Sequence, residues 1–79
     1  MAITVVVEAV SEELEYVSVN RWHRQEGEAV SAGQVLVEVE GDKASFEIAA
    51  PAAGVLTRIY AVVGDEVEVG GSLAEIEPA

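Results

Sequence analysis

Lys43 is the only lysine in a chain of 79 residues, and it stands in the run Val39-Glu40-Gly41-Asp42-Lys43-Ala44-Ser45-Phe46. A lone amine on a turn is a unique handle for covalent attachment. An ordinary lysine amine has a pKa near ~10.4, so an enzyme that acylates it must first accept its proton. The other reactive residue types do not assemble into a site. His23 is the only histidine and lies beside Trp22 in a strand-like run, where it reads as a surface or packing residue rather than a base. No serine sits in a nucleophile elbow, and no glycine loop has the pattern that cradles phosphate. The absence of cysteine excludes a disulfide framework, a thiolate zinc site and a cysteine nucleophile. The 15 acidic residues are scattered, without calcium-loop or His-carboxylate spacing. Neither a catalytic constellation nor a metal site is expected.

The net charge of −11 argues against nucleic acid and anionic membrane as partners, since only Arg21, Arg24, Arg58 and Lys43 are basic. Such acidity serves solubility and can steer the chain toward a basic protein surface. Ala2 to Val7 is too short for a membrane span or a signal h-region and has no basic segment before it. The expectation is a single soluble domain over residues 1–79, monomeric in isolation. It would be cytoplasmic in a bacterium or in the mitochondrial matrix of a eukaryote.

The elements that must position Lys43 are short strands. Period-two apolar runs recur at Ile3-Val5-Val7, Tyr16 to Trp22, Val35-Val37-Val39, Phe46-Ile48, Val55 to Tyr60 and Leu73 to Ile76. Glycine-containing turns separate them, a pattern that argues for an all-β sandwich or barrel. Ser11 to Glu15 reads as a surface loop. Trp22, Phe46, Tyr16 and Tyr60 read as core or half-buried packing. An internal repeat is also present: shifting residues 22–40 by 37 positions lays Gly27 on Gly64, Val30 on Val67, Gly33 on Gly70 and Leu36 on Leu73. Two such units cannot each bury a face alone, so they should pack face to face with approximate two-fold symmetry.

Lys43 lies in the hairpin that links the halves, at the opposite end of the module from the C-terminus. If Asp42 and Lys43 are its two central residues, Val39 faces Phe46 and Val37 faces Ile48 inside. Glu40 then faces Ser45 and Glu38 faces Glu47 outside. A register centred on Gly41-Asp42 passes the same parity test. An ion pair from Lys43 to Asp42 or Glu40 would contribute little at an exposed site, so stability gives no strong reason for lysine here.

Glu40-Gly41-Asp42-Lys43-Ala44-Ser45, followed by Ile48-Ala49-Ala50-Pro51 and Gly54-Val55-Leu56, resembles the lipoyl domain of 2-oxo acid dehydrogenase acyltransferases. Residues 21–30 upstream and Gly64-Asp65-Glu66-Val67 downstream extend the resemblance over essentially the whole chain. It implies a flattened β-barrel or sandwich of two four-stranded antiparallel sheets with quasi-two-fold symmetry. It also implies that Lys43 carries lipoic acid in amide linkage, and that Glu40, Gly41, Asp42, Ala44 and Ser45 form the recognition hairpin. The implied role is a non-catalytic swinging-arm carrier within a dihydrolipoamide acyltransferase. The implied partners are a lipoate ligase or lipoyl transferase, a thiamin-diphosphate 2-oxo acid decarboxylase, the acyltransferase core and dihydrolipoamide dehydrogenase. Gly41-Asp42-Lys43-Ala44-Ser45 leans toward a pyruvate-type complex, whereas Trp22-His23 resembles 2-oxoglutarate-type domains. Glu8-Ala9-Val10-Ser11 departs from the proline and glycine that such domains carry in the first loop, which leaves the cognate decarboxylase open.

Two alternatives share the architecture. Biotinyl carrier domains place their lysine between two methionines, but Asp42 and Ala44 flank Lys43 and Met1 is the only methionine. An unmodified β-sandwich interaction module has no use for the Asp-Lys-Ala tip. Intact mass after co-expression with a lipoate ligase and lipoate separates these readings. The expected result is one added lipoyl group and one positive charge lost, with Lys43→Ala left unmodified.

Overall fold

Valine alternation and glycine turns produce eight short strands and no helix among the described residues. A computed structural model describes residues 2–8, 15–41 and 44–79. Ser11 to Leu14, most of the expected surface loop, lie outside these residues, as do Asp42 and Lys43. The strands are β1 (Ile3–Val6), β2 (Tyr16–Trp22), β3 (Ala29–Val30), β4 (Val35–Glu40), β5 (Ser45–Ala49), β6 (Gly54–Ile59), β7 (Glu66–Glu68) and β8 (Ser72–Pro78). They form two four-stranded antiparallel sheets, ordered β1-β8-β6-β3 and β5-β4-β2-β7. The expected all-β class and four-plus-four arrangement are present. Periodicity alone had picked out six runs; β3 and β7, at two and three residues, are too short to alternate visibly.

The repeat relates the two sheets strand for strand. A shift of 37 carries β2 onto β6, β3 onto β7 and β4 onto β8, and β1 and β5 occupy matching edges. Even the irregularities pair off. Register shifts at Val19/Arg21 and Leu56/Arg58 are equivalent, as are those at Val35/Val37 and opposite Ser72–Ala74. At the latter pair two consecutive residues turn inward, so Leu36 and Val37 are both buried, as are Leu73 and Ala74. Four glycines hold the left-handed backbone that the turns need: Gly27 (φ 92°) matches Gly64 (97°), and Gly33 (84°) matches Gly70 (88°).

The core lies between the sheets. Val5, Val17, Val19, Leu36, Val37, Val39, Leu56, Leu73, Ala74 and Ile76 are buried there, with Trp22 and Phe46 half-buried against them. Trp22 spans the halves, its Nε1 donating to the Ala61 carbonyl at 2.8 Å. Tyr16 and Tyr60 depart from the packing expected of them, being 52% and 48% exposed. The cause at Tyr16 is parity. Val17 and Val19 take the inward positions of β2, so Tyr16, Ser18 and Asn20 must face out. Tyr60 follows the end of β6 and hydrogen-bonds along the surface instead.

A domain of this size has roughly 4–12 kcal/mol of folding free energy. Truncating a fully buried leucine removes about 2–5 kcal/mol. Leu36→Ala and Leu73→Ala occupy equivalent sites in the repeat and should destabilise by similar amounts within that range. Guanidinium unfolding checks this: a loss below about 1 kcal/mol at one site but not the other would contradict the equivalence, and at both would contradict the burial.

Candidate functional site

The hairpin between β4 and β5 is where sequence reasoning located the chemistry. Its cross-strand pairs are Val37 with Ile48, Glu38 with Glu47, Val39 with Phe46 and Glu40 with Ser45. The Gly41 N–H donates to the Ala44 carbonyl at 2.9 Å. This is the register centred on Asp42-Lys43 rather than on Gly41-Asp42, since only those two residues separate Gly41 from Ala44 in the sequence. Val37, Val39 and Ile48 are buried, while Glu40, Ala44, Ser45 and Glu47 are exposed. Of the expected site residues, Glu40, Gly41, Ala44 and Ser45 therefore stand together at one hairpin end. Asp42 and Lys43 lie outside the described residues.

The hairpin belongs to a sheet whose outer surface is strongly acidic. Ser18 of β2 pairs with Glu40 on one side and Glu66 on the other, so Ser45, Glu40, Ser18 and Glu66 form a row across all four strands. Glu38, Glu47 and Glu68 are at least partly exposed on the same sheet, with Arg21 the cation at its bulge. A shallow depression of about 160 Å³ opens beside the hairpin, lined by Tyr16, Ser18, Glu40, Gly41 and Glu66. Sequence reasoning had not brought Tyr16 or Glu66 to this place. The alternation of β2 could have put Tyr16 and Ser18 on one face, but nothing in the sequence announced the three-residue β7.

Elsewhere the polar groups are structural. Glu28 Oε1 accepts from Gln25 N at 2.8 Å, and Asp65 Oδ2 accepts from Val62 N at 3.0 Å, an equivalent pair that holds the two glycine turns. The Arg24–Glu28 ion pair, at 3.8 Å and exposed, contributes little. Among the described residues, His23 Nε2 is buried without a hydrogen-bond partner. Hollows of about 380 Å³ and about 660 Å³ open elsewhere, the first along β1 and β5 and the second beside Trp22, Val62 and Val63. Among the described residues no group of three or more His, Cys, Asp or Glu could hold a metal ion, and no helix could cross a membrane.

This geometry matches a known family. The family model Biotin_lipoyl, described as "Biotin-requiring enzyme", matches residues 3–76. The chain belongs to the biotin/lipoyl domain family. It is 38% identical, over 98% of its length, to the dihydrolipoyllysine-residue succinyltransferase component of the 2-oxoglutarate dehydrogenase complex of Bartonella vinsonii. It is 45% identical, over 67% of its length, to the dihydrolipoyllysine-residue acetyltransferase component of the pyruvate dehydrogenase complex of Haemophilus influenzae. The chain spans 19% and 9% of these two relatives. Among solved structures, the lipoyl domain of the 2-oxoglutarate dehydrogenase complex from Azotobacter vinelandii matches with a TM-score of 0.73 and 32% identity. The match covers 95% of this chain and 99% of that one. A single-chain long-chain acyl-CoA carboxylase shares the fold at a TM-score of 0.83 and 23% identity, over 99% of this chain and 7% of that one. Lipoyl-domain architecture thus covers the chain from the first strand to the last.

One exposed group on the sheet opposite the hairpin has a distinctive titration. Tyr60 Oη donates to Glu75 Oε2 at 2.6 Å, and this bond to a carboxylate raises the phenol above its ordinary value. Deprotonation would lose the bond and set two negative charges together. Because the folded pKa is raised, the bond's contribution is complete below the unfolded value of ~10 and is lost as pH rises through the folded one. Absorbance titration should find Tyr60 ionising late, and Glu75→Gln should bring it down.

Proposed function

We propose that the chain is a lipoyl carrier domain in which Lys43 bears lipoic acid in amide linkage. The observation that carries this reading is the hairpin, in which a register pinned by Val37, Val39 and Ile48 closes through Gly41 and Ala44 around Asp42-Lys43. When bound, lipoic acid supplies a disulfide that accepts an acyl group together with two electrons. This chain's residues supply presentation. The paired strands fix the two ends of the loop at Gly41 and Ala44, and tethering raises the effective concentration of the arm at each site it visits. A lipoate ligase or lipoyl transferase would modify Lys43. A thiamin-diphosphate 2-oxo acid decarboxylase, the acyltransferase core and dihydrolipoamide dehydrogenase would then act on the arm in turn, with no chemical step performed by the domain.

Two complexes compete as its home. The run Gly41-Asp42-Lys43-Ala44-Ser45 supports a pyruvate-type complex. Likeness over 98% of the chain to a succinyltransferase component supports a 2-oxoglutarate-type complex and draws on more of the sequence. Biotin is the second reading for the attached group, favoured by the family's description and by the carboxylase that shares the fold. Asp42 and Ala44, where biotinyl domains carry methionine, speak against it.

Acylation of the lipoylated protein by pyruvate, 2-oxoglutarate and branched-chain decarboxylases tests the carrier role. Contacts around the hairpin add binding energy that free lipoamide lacks, so one of the three should acylate the domain far faster than lipoamide. That advantage should shrink as salt rises, because exposed charges are screened within about 10 Å at 0.1 M ionic strength. Rates equal to lipoamide with all three enzymes would reject the carrier role in these complexes.

A further inference from the structure

The repeat makes each half of the molecule a control for the other. Where equivalent positions agree, the fold accounts for the residue; where they differ, the fold has accepted both. The row Glu40–Ser18–Glu66 on the hairpin sheet corresponds to Glu77–Val55–Ala29 on the opposite sheet, and both rows are paired in the same register. Tyr16 corresponds to Ala53. The architecture therefore stands with alanine and valine where the hairpin sheet has Tyr16, Ser18 and Glu66. What sets these three apart is location: they border Gly41 in the depression beside the hairpin.

Their chemistry points to a particular guest. Tyr16 offers a half-exposed aromatic ring, and Glu40 and Glu66 supply carboxylates on the same side. A planar guanidinium satisfies both, stacking on a ring while its N–H fork engages carboxylates. Tyrosine and arginine are also the residue types that dominate protein–protein binding energy. The amine of a lysine rides on a four-carbon stem, so an enzyme that acylates it must bring its own surface against the ground beside the hairpin.

We propose that the depression formed by Tyr16, Ser18, Glu40 and Glu66 seats an arginine side chain of the enzyme that acylates Lys43. This rests on the carrier reading above and adds a docking site to it. Ala53 at the equivalent position indicates that Tyr16→Ala leaves the fold intact, which the melting temperature verifies.

The experiment measures lipoylation of the unmodified protein by a lipoate ligase with lipoate and ATP, together with the Kd of that protein for the ligase. Tyr16→Ala and Glu66→Ala should each lower kcat/KM about ten-fold, through KM rather than kcat, and weaken Kd in parallel. Tyr16→Phe should retain the native rate, because stacking survives loss of the hydroxyl. Thr57→Ala, on the opposite sheet, should change nothing. Native rates and Kd for Tyr16→Ala overturn the proposal. So does loss of rate in Glu66→Ala alone, which would mean long-range steering without a seat. No lipoylation of the native protein would overturn the carrier reading and the docking site with it, whereas native lipoylation with unaffected variants would remove the docking site alone.

Discussion

Two reciprocal backbone clasps hold the molecule together. Gly27 N–H donates to the Leu56 carbonyl at 2.7 Å, and Leu56 N–H donates back to the Glu28 carbonyl at 2.9 Å. In the other half Gly64 N–H donates to the Val19 carbonyl and Val19 N–H to the Asp65 carbonyl, both at 2.9 Å. Each glycine-acid turn thus closes on a core strand of the opposite half. The strands that follow the turns go the same way: β3 pairs with β6, and β7 pairs with β2. Buried backbone groups must be paired, so separating the halves would strip both the clasps and the exchanged strands. Neither half is a folding unit by itself.

This exchange explains where the structure can vary and where it cannot. The turn glycines are fixed by backbone conformation, and Gly54 by space, since a Cβ there would run into the Glu77 carbonyl oxygen. The inward positions are fixed by packing. What remains free is the outer surface of each sheet, and there the two halves part company. Acidic residues gather on the sheet that bears the hairpin, while Val6, Val55, Thr4 and Thr57 occupy much of the other. A two-fold scaffold has become a chemically one-sided object through its outward positions.

Much of this was legible in the sequence, for identifiable reasons. The repeat was visible because left-handed turns admit few residues besides glycine, so Gly27, Gly33, Gly64 and Gly70 had to recur at fixed spacing. Hairpin parity was visible because Val37 and Val39 alternate with Glu38 and Glu40. The short strands β3 and β7 were not, since two or three residues carry no period. Tyr16 is exposed by strand parity and Tyr60 by its place just past the end of β6, neither of which aromatic character signals. The depression beside the hairpin stayed hidden for a related reason: it is built by the pairing of β2 with β7, a contact between segments some fifty residues apart that leaves no local mark.

The same burial that stabilises the core gives the hairpin its address. A one-residue slip of β5 along β4 would turn Phe46 and Ile48 toward water and bring Ser45 and Glu47 inside. Exposing each large apolar side chain costs about 1.5–3 kcal/mol. Burying an unpaired carboxylate adds several more. Together these penalties are comparable to the whole folding free energy, roughly 4–12 kcal/mol at this chain length. Slipped registers are therefore negligibly populated while the domain is folded. A partner that reads Lys43 by its place on a turn depends on that fact. The two ends of the turn, Gly41 and Ala44, keep their place in the fold only because Val37, Val39 and Ile48 cannot leave the interior.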